Sequence, residues 1–534
     1  MGSIPDQGEW KAAHMRIQSS EPGGSVDDIG SKKGNDLELQ ERDQGTLTDE
    51  DSVDVGGGRG RSRRKFQFPR IGLDALIGDG RPEDNGIQDG SIVFYKVYKR
   101  RWFGLVELTL LSLLVSWEWL TFSPVAAVAA DFFNTSESAI NWFSTAFLFA
   151  FVVMVPIVIY TLHWGPKPSI MTAALLMLIG NWIRYAGVKT TTPNFGVVMF
   201  GQIILGFAQP FVLAGPTRYS DMWFTNRGRV AATALMSLSN PFGAAIGQLV
   251  IPFWVYKTSD IPNAVLYLSI ITTIVCIPAL FIPAAPPTPP SPSGATQKTS
   301  LLASIRIITS SIEVWLILIP FFIYVSLFNS ISTIISQVLT PYGFTDNDAG
   351  IAGAVLIVVG LVSAAITSPI LDRTKSFVLA CKVAAPIIAL CYLIFIWMPE
   401  TRSDPGPYVV LAVLGAASFS LVPVAMELLV ELTHPVSPEV TSTLAWAGGQ
   451  LGGGILILIS DALKAGDGAS PPGNMKNALI FQAVVALVAL PFPMVLGLFG
   501  RREKVLLRRV QRDQEDGPLA QDRVGEVSGN EVSA

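Results

Sequence analysis

Residues 283–300 read PAAPPTPPSPSGATQKTS. Proline removes a backbone donor and its ring clashes with the preceding turn, so no helix continues through this stretch, and the Ser, Thr and Gly between the prolines make it a linker. The sequence on either side has one repeated character. Upstream, apolar segments lie near 103–128, 139–161, 168–188, 194–217, 230–256 and 263–282. Downstream they lie near 312–338, 349–370, 377–398, 407–430, 440–463 and 476–499. Each has the roughly 20 residues that a helix needs to cross the hydrocarbon core of a bilayer. The linker therefore divides twelve predicted spans into six and six.

The charge distribution agrees. Charged residues make up 15% of the 534-residue chain, half of it is hydrophobic, and the mean hydropathy is +0.45. Residues 1–91 hold 18 acids and 12 bases, and residues 500–534 hold 7 of each, which leaves 17 acids and 19 bases for everything between. No water-facing surface is built from so few charges. The chain reads as a polytopic membrane protein with two polar tails. The first, 1–91, is low in hydrophobicity and is expected to be disordered; its basic cluster RGRSRRK at 59–65 suits either solvent or anionic lipid headgroups. The opening residues lack the apolar core of a cleavable signal.

Lysine and arginine set the orientation. With the N-terminus in the cytoplasm, the inner loops and flanks hold 17 basic residues and the outer ones 5: Lys189, Lys257, Arg402, Lys464 and Lys476. Under the positive-inside rule both tails are then cytoplasmic. The expected domains are the tail 1–91, a six-helix bundle 92–282, a cytoplasmic linker 283–305, a second bundle 306–500 and a tail 501–534. Six plus six around a cytoplasmic linker is the arrangement of a major facilitator transporter, all-α, with halves related by an axis along the membrane normal. RVAATALMSLSNPFGAAIG (229–247) and PEVTSTLAWAGGQLGGGIL (438–456) are weakly similar, and both carry small residues where helices could approach closely.

A solute crossing such a protein needs polar or aromatic groups near the midplane. Glu118 and Trp119 lie about 22–24 Å along the first segment, counting about 1.5 Å per residue. Asn329 has a similar depth in the seventh, Gln450 is central in the eleventh, and Gln209 sits in the inner half of the fourth. Asn240 and Gln337 are further candidates for the substrate site. Unpaired amides are costly in hydrocarbon, so these groups face one another, a neighbouring helix or a wet cavity. Glu118 must be paired, protonated or hydrated, which makes it the candidate for proton coupling. Arg184, near the outer end of the third segment, is expected to snorkel. In the loop PILDRTKSF (369–377), Asp372 and Arg373 are expected near Glu427 and Glu431, either as a charge network gating the two bundles or as solvated surface charge. Cys276, Cys381 and Cys391 show no ligand spacing, and the histidines, 14, 163 and 434, are scattered, so neither a disulfide framework nor a metal site is expected, and no cofactor.

An ordered series of short stretches resembles a known family. YKVYKRRWFGL and WEWLTFSPVAA lie in the first segment, INWFS opens the second, GNWIRYAG ends the third and GQIILGFAQPFVLAGPTRYSDMWF covers the fourth. LSNPFGAAIG, SISTIISQVLTPYG, LDRTKS and AMELLVELTHPVSPEVTSTLAWAGGQLGGG follow. Over about residues 92–500 the chain is similar to the feline leukaemia virus subgroup C receptor-related transporters, solute carrier family 49. The resemblance implies movement of a small organic cation such as choline or ethanolamine. Haem and vitamin-like solutes such as pyridoxine are the alternatives. It also implies that Trp119 faces the ammonium and that Gln209 and Gln450 line the site, in keeping with the attraction of a cation for an aromatic face. Two positions depart from the pattern. Asn329 stands where choline-carrying members have an aromatic, and LHWGPKPSI between the second and third segments lacks the Asp-Arg pair found at Asp372 and Arg373.

Three classes remain for comparison. A transporter of a small metabolite needs convergent midplane residues. A lipid-modifying enzyme needs clustered His, Asp or Cys at the interface, which are absent from the sequence pattern. A receptor or sensor that has lost transport needs a filled apolar centre. The first is the expectation: a non-enzymatic, monomeric carrier, with a small-molecule substrate and the lipid bilayer as partners and no nucleic acid. Its expected location is the plasma membrane or a vacuolar or other endomembrane.

Overall fold

The computed structural model describes residues 97–288 and 308–497, apart from positions 225, 309, 375, 434–437 and 467, together with two short strands before them. The chain divides into two units, Met1–Pro69 and Arg70–Ala534, and the described residues belong to the second. The expectations for residues 1–85, for 289–307 and for the C-terminal tail lie outside the described residues, as do the side chains of Asp372 and Arg373. Within the stretch expected to be disordered, strand β1 (Gly86–Gln88) pairs antiparallel with β2 (Ser91–Val93), with Ile87 opposite Ile92. The sequence between them is Asp89-Gly90, a dipeptide suited to a two-residue hairpin turn.

Twelve helical spans follow among the described residues. Spans 1 to 6 are Arg101–Phe133, Glu137–Leu162, Pro166–Lys189, Phe195–Trp223, Ala231–Trp254 and Thr258–Ala279. Spans 7 to 12 are Ile312–Tyr342, Asp346–Leu371, Phe377–Phe395, Pro405–Thr433, Val440–Ala462 and Lys476–Val495. The face where span 1 begins and span 6 ends is called the linker side, and the opposite face the far side.

Two spans read as continuous are broken. In span 1 the helix Arg101–Trp119 stops, a 3₁₀ turn covers Ser123–Val125, and Ala126–Phe133 resumes. The apolar run hides this break from hydropathy. Pro124 causes it, because its ring removes a donor and meets the carbonyl four residues earlier, at Leu120. Span 12 breaks in the same way, between Lys476–Ala489 and Pro491–Val495. Elsewhere the ends are set by local chemistry. Ser136 Oγ accepts from the Ala139 N–H at the start of span 2, and Asn194 Oδ1 from Val197 at the start of span 4. Gly165, at φ +130°, joins spans 2 and 3 directly; a side chain would be strained there.

Each half has its own buried apolar core. In the first half, span 3 lies along spans 4 and 6, and span 1 along spans 4 and 5; in the second, span 7 lies along span 11 and span 8 along span 10. The halves meet where span 2 runs along span 11 and span 5 along span 8. Large apolar side chains such as Val153, Tyr160, Phe200, Ile274, Leu379 and Val409 point outward, as a bilayer-facing surface requires. Small residues set the closest approaches: a Cβ on Gly243 would strike the Leu113 carbonyl, and one on Gly453 would lie 2.8 Å from Asn329 Cβ.

Candidate substrate site

Trp119 is the last residue of the first helix of span 1, only 3% exposed, and its indole stacks on Phe147 of span 2 at 6.4 Å between centroids and 21° between planes. Phe147 is also where span 4 comes close. A Cβ on Gly206 would lie 2.6 Å from the Phe147 carbonyl oxygen, and Gln209 follows Gly206 by one turn toward the linker side. Two residues along span 2, Phe149 touches span 11, where a Cβ on Gly454 would lie 2.5 Å from its ring. Gln450 precedes Gly454 by one turn, again on the linker side. Span 2 thus meets span 1 at Trp119, span 4 at Gly206 and span 11 at Gly454.

The amides differ in how they are used. Gln209 is buried and its Oε1 has no hydrogen-bond partner, nor has Trp119 Nε1. Asn329 Nδ2 donates to Gln450 Oε1 at 2.7 Å, so spans 7 and 11 are joined by an amide pair. Asn240 Nδ2 donates to the Ser112 carbonyl of span 1 at 3.1 Å. One turn to the linker side of Gln209 and Gln450 lies a narrow cleft between the halves, with room for about one water molecule, lined by Phe151, Leu213, Ala214, Ser442, Thr443 and Trp446.

On the far side the halves are latched. Gln337 Nε2 donates to Asn141 Oδ1 at 2.7 Å, and Asn141 Nδ2 donates back to Gln337 Oε1 at 3.2 Å and to Asp461 Oδ1 at 3.0 Å. Lys464 Nζ meets Glu137 Oε2 at 2.5 Å. Deeper, Gln248 Nε2 donates to the Ser332 carbonyl at 2.5 Å, from span 5 to span 7. Gln337, a substrate-site candidate by sequence, therefore has its amide engaged in this latch.

Glu118 turns away from Trp119's neighbours. It is fully buried against spans 3 and 6, and its Oε1 accepts from Asn181 Nδ2 at 2.6 Å and Thr272 Oγ1 at 2.5 Å. Arg184 does not snorkel. Its side chain is 0% exposed, with Nη1 3.4 Å from the Glu118 carbonyl oxygen and the guanidinium 5.3 Å from the centre of the Phe122 ring. One carbonyl and an aromatic face inside the bundle are its contacts, and Nε and Nη2 are buried without a hydrogen-bond partner. Asn181 and Arg184 are three residues apart in GNWIRYAG, a spacing that puts both on one helix face. Asn141, within INWFS, offered no comparable signal before its partners were placed. Of the charged gating candidates, Glu431 is buried and Glu427 half-buried at the linker end of span 10. Among the described residues, no group of three or more His, Cys, Asp or Glu is placed to hold a metal ion.

A family model described as Major Facilitator Superfamily matches residues 108–457. Solute carrier family 49 member A3 of Danio rerio is 32% identical over 377 residues, which cover 69% of this chain and 80% of that protein. The chain belongs to solute carrier family 49 of the major facilitator superfamily. This family 49 chain is also similar to Choline/ethanolamine transporter FLVCR1 of Felis catus, 28% identical with 70% of each chain covered. The crystal structure of a bacterial homolog to the human lysosomal transporter Spinster, inward-facing and unoccupied, matches with a TM-score of 0.55 at 14% identity, over 74% of this chain and 97% of that one. That likeness is one of fold. The twelve-span helical architecture expected from the sequence is the one found among the described residues, and the chain is a multi-pass membrane protein of a transporter family.

Proposed function

We propose that this transporter moves a compact organic cation of the choline or ethanolamine class by alternating access, with Trp119 as the aromatic face and Gln209 and Gln450 as the polar groups of its site. The observation that carries this reading is the Trp119–Phe147 stack on span 2, with both glutamines one turn below and a cleft between the halves beyond them. A quaternary ammonium offers no hydrogen-bond donor and is attracted by an electron-rich ring, worth about 0.5–2 kcal/mol. A hydroxyl or amine at the other end suits the unpartnered Gln209 Oε1. The names of the similar choline/ethanolamine transporters support the same class.

With both termini in the cytoplasm, as the lysine and arginine distribution favours, the latch lies toward the outside and the cleft toward the inside. A second reading, a neutral vitamin-like solute such as pyridoxine, is favoured by one observation. Where an aromatic would complete a cage, Asn329 forms an amide pair with Gln450, which suits hydrogen-bonding solutes. Uptake of labelled choline, ethanolamine and pyridoxine by cells expressing this chain separates these readings. Saturable choline or ethanolamine uptake supports the first, pyridoxine alone the second, and transport of none of them refutes both.

A further inference from the structure

Span 1 loses its helical hydrogen bonding at Trp119, which leaves carbonyls without the partners a continuous helix would supply. Inside a membrane such groups must be satisfied by other protein groups. The Glu118 carbonyl accepts from the Thr121 N–H at 3.4 Å and Thr121 Oγ1 at 2.8 Å, from Gln202 Nε2 of span 4 at 3.3 Å and from Arg184 Nη1 of span 3 at 3.4 Å. The Trp119 carbonyl accepts from the same Gln202 Nε2 at 3.4 Å. The Glu118 side chain is tied from the opposite direction by Asn181 and Thr272, and Ser269 Oγ donates to the Asn181 carbonyl at 3.2 Å.

We infer that Gln202, Arg184 and the Glu118–Asn181–Thr272 cluster are positioning residues: they clamp the backbone at the break in span 1 and thereby fix the direction in which Trp119 presents its ring. The inference rests on the reading of Trp119 as the substrate's aromatic face. Adjacent residues on a helix point about 100° apart, so Glu118 is anchored among spans 1, 3 and 6 while Trp119 stacks on span 2. Glu118 then acts through geometry and not as the proton carrier that its depth in the sequence suggested. Gln202 and Gln209 are seven residues apart on one face of span 4. The first holds the backbone that carries the tryptophan, and the second is a candidate solute ligand.

Two measurements test this. The first is labelled choline uptake per copy at the membrane surface. Gln202→Leu should raise KM about tenfold, the effect of taking its side-chain donor from the buried Trp119 carbonyl, with surface expression retained. Glu118→Gln, which still accepts from Asn181 and Thr272, should recover most of what Glu118→Leu loses. An effect confined to expression and maximal rate, with KM and the labelling rate described below both unmoved, overturns the inference, as does equal loss of uptake in Glu118→Gln and Glu118→Leu.

The second measurement does not depend on the solute. A cysteine at position 119 is labelled in membrane vesicles with a trimethylammonium thiosulfonate, the buried native cysteines of the parent serving as the blank. Gln202→Leu should change the labelling rate at 119 at least about fivefold; an unchanged rate overturns the inference. A rate that responds while choline KM does not leaves the clamp standing and removes choline from the site.

Discussion

Asn141→Ala should unlatch the far side. Asn141 exchanges hydrogen bonds with Gln337 at 2.7 and 3.2 Å and donates a third to Asp461 at 3.0 Å, all across the boundary between the halves. Side-chain hydrogen bonds between membrane helices average about 0.6 kcal/mol, and those to a charged group reach about 1.5–3 kcal/mol. Together they favour the closed far side by about 2 kcal/mol or more. Losing that amount raises the far-side-open population about thirtyfold while it remains the minor state. The Glu137–Lys464 pair remains and limits the change, since both side chains are partly exposed and such pairs contribute about 0–1 kcal/mol. Thr145 lies one turn below Asn141 in span 2 and is fully buried, so a cysteine there reports the opening. An impermeant thiol reagent applied from the far side should label Thr145→Cys at least about tenfold faster with Asn141→Ala than without it. Equal rates would refute the assignment of these amides as a latch.

Other substitutions probe different parts of the account. Gln450→Ala removes the acceptor of Asn329 Nδ2 and should weaken solute binding by about 1–2 kcal/mol, read as a rise in KM, with an unchanged KM counting against it. Gly454→Val should abolish uptake while leaving helical content intact, because its branched side chain meets the Phe149 ring at the contact between the halves; normal transport would show that the contact yields freely. Arg184→Met removes a donor from the Glu118 carbonyl and should lower thermal stability in detergent by about 1–3 kcal/mol. A variant as stable as the parent would contradict that contact.

Much of this architecture is legible in the sequence because its largest energy term is local in sequence. Burial of about 20 apolar residues in hydrocarbon sums along the chain, so segment lengths and the Pro-rich interruption at 283–300 locate twelve spans and two halves without knowledge of any contact. Partner choice does not sum in that way. Pro124 lies in so apolar a context that its break in span 1 leaves hydropathy almost unchanged, yet the break sets where Trp119 points. Arg184 has the composition of a snorkelling residue at a span end; its burial depends on the Glu118 carbonyl and Phe122, which come from another helix. Gln337 reads as a midplane amide like Gln450, and only the reciprocal geometry with Asn141 assigns it to the far side.

The central claim is that Trp119 holds the cationic end of the solute. Its most direct test is uptake of labelled choline into liposomes containing the purified chain, compared among the parent, Trp119→Phe and Trp119→Ala at equal amounts of folded protein. Phenylalanine keeps a weaker aromatic face and alanine keeps none, a difference of about 0.5–2 kcal/mol in affinity for the ammonium. Saturable uptake in the parent, an intermediate rise in KM with phenylalanine and the largest rise, about 2- to 30-fold, with alanine is the predicted order. Choline uptake by Trp119→Ala indistinguishable from the parent would contradict it.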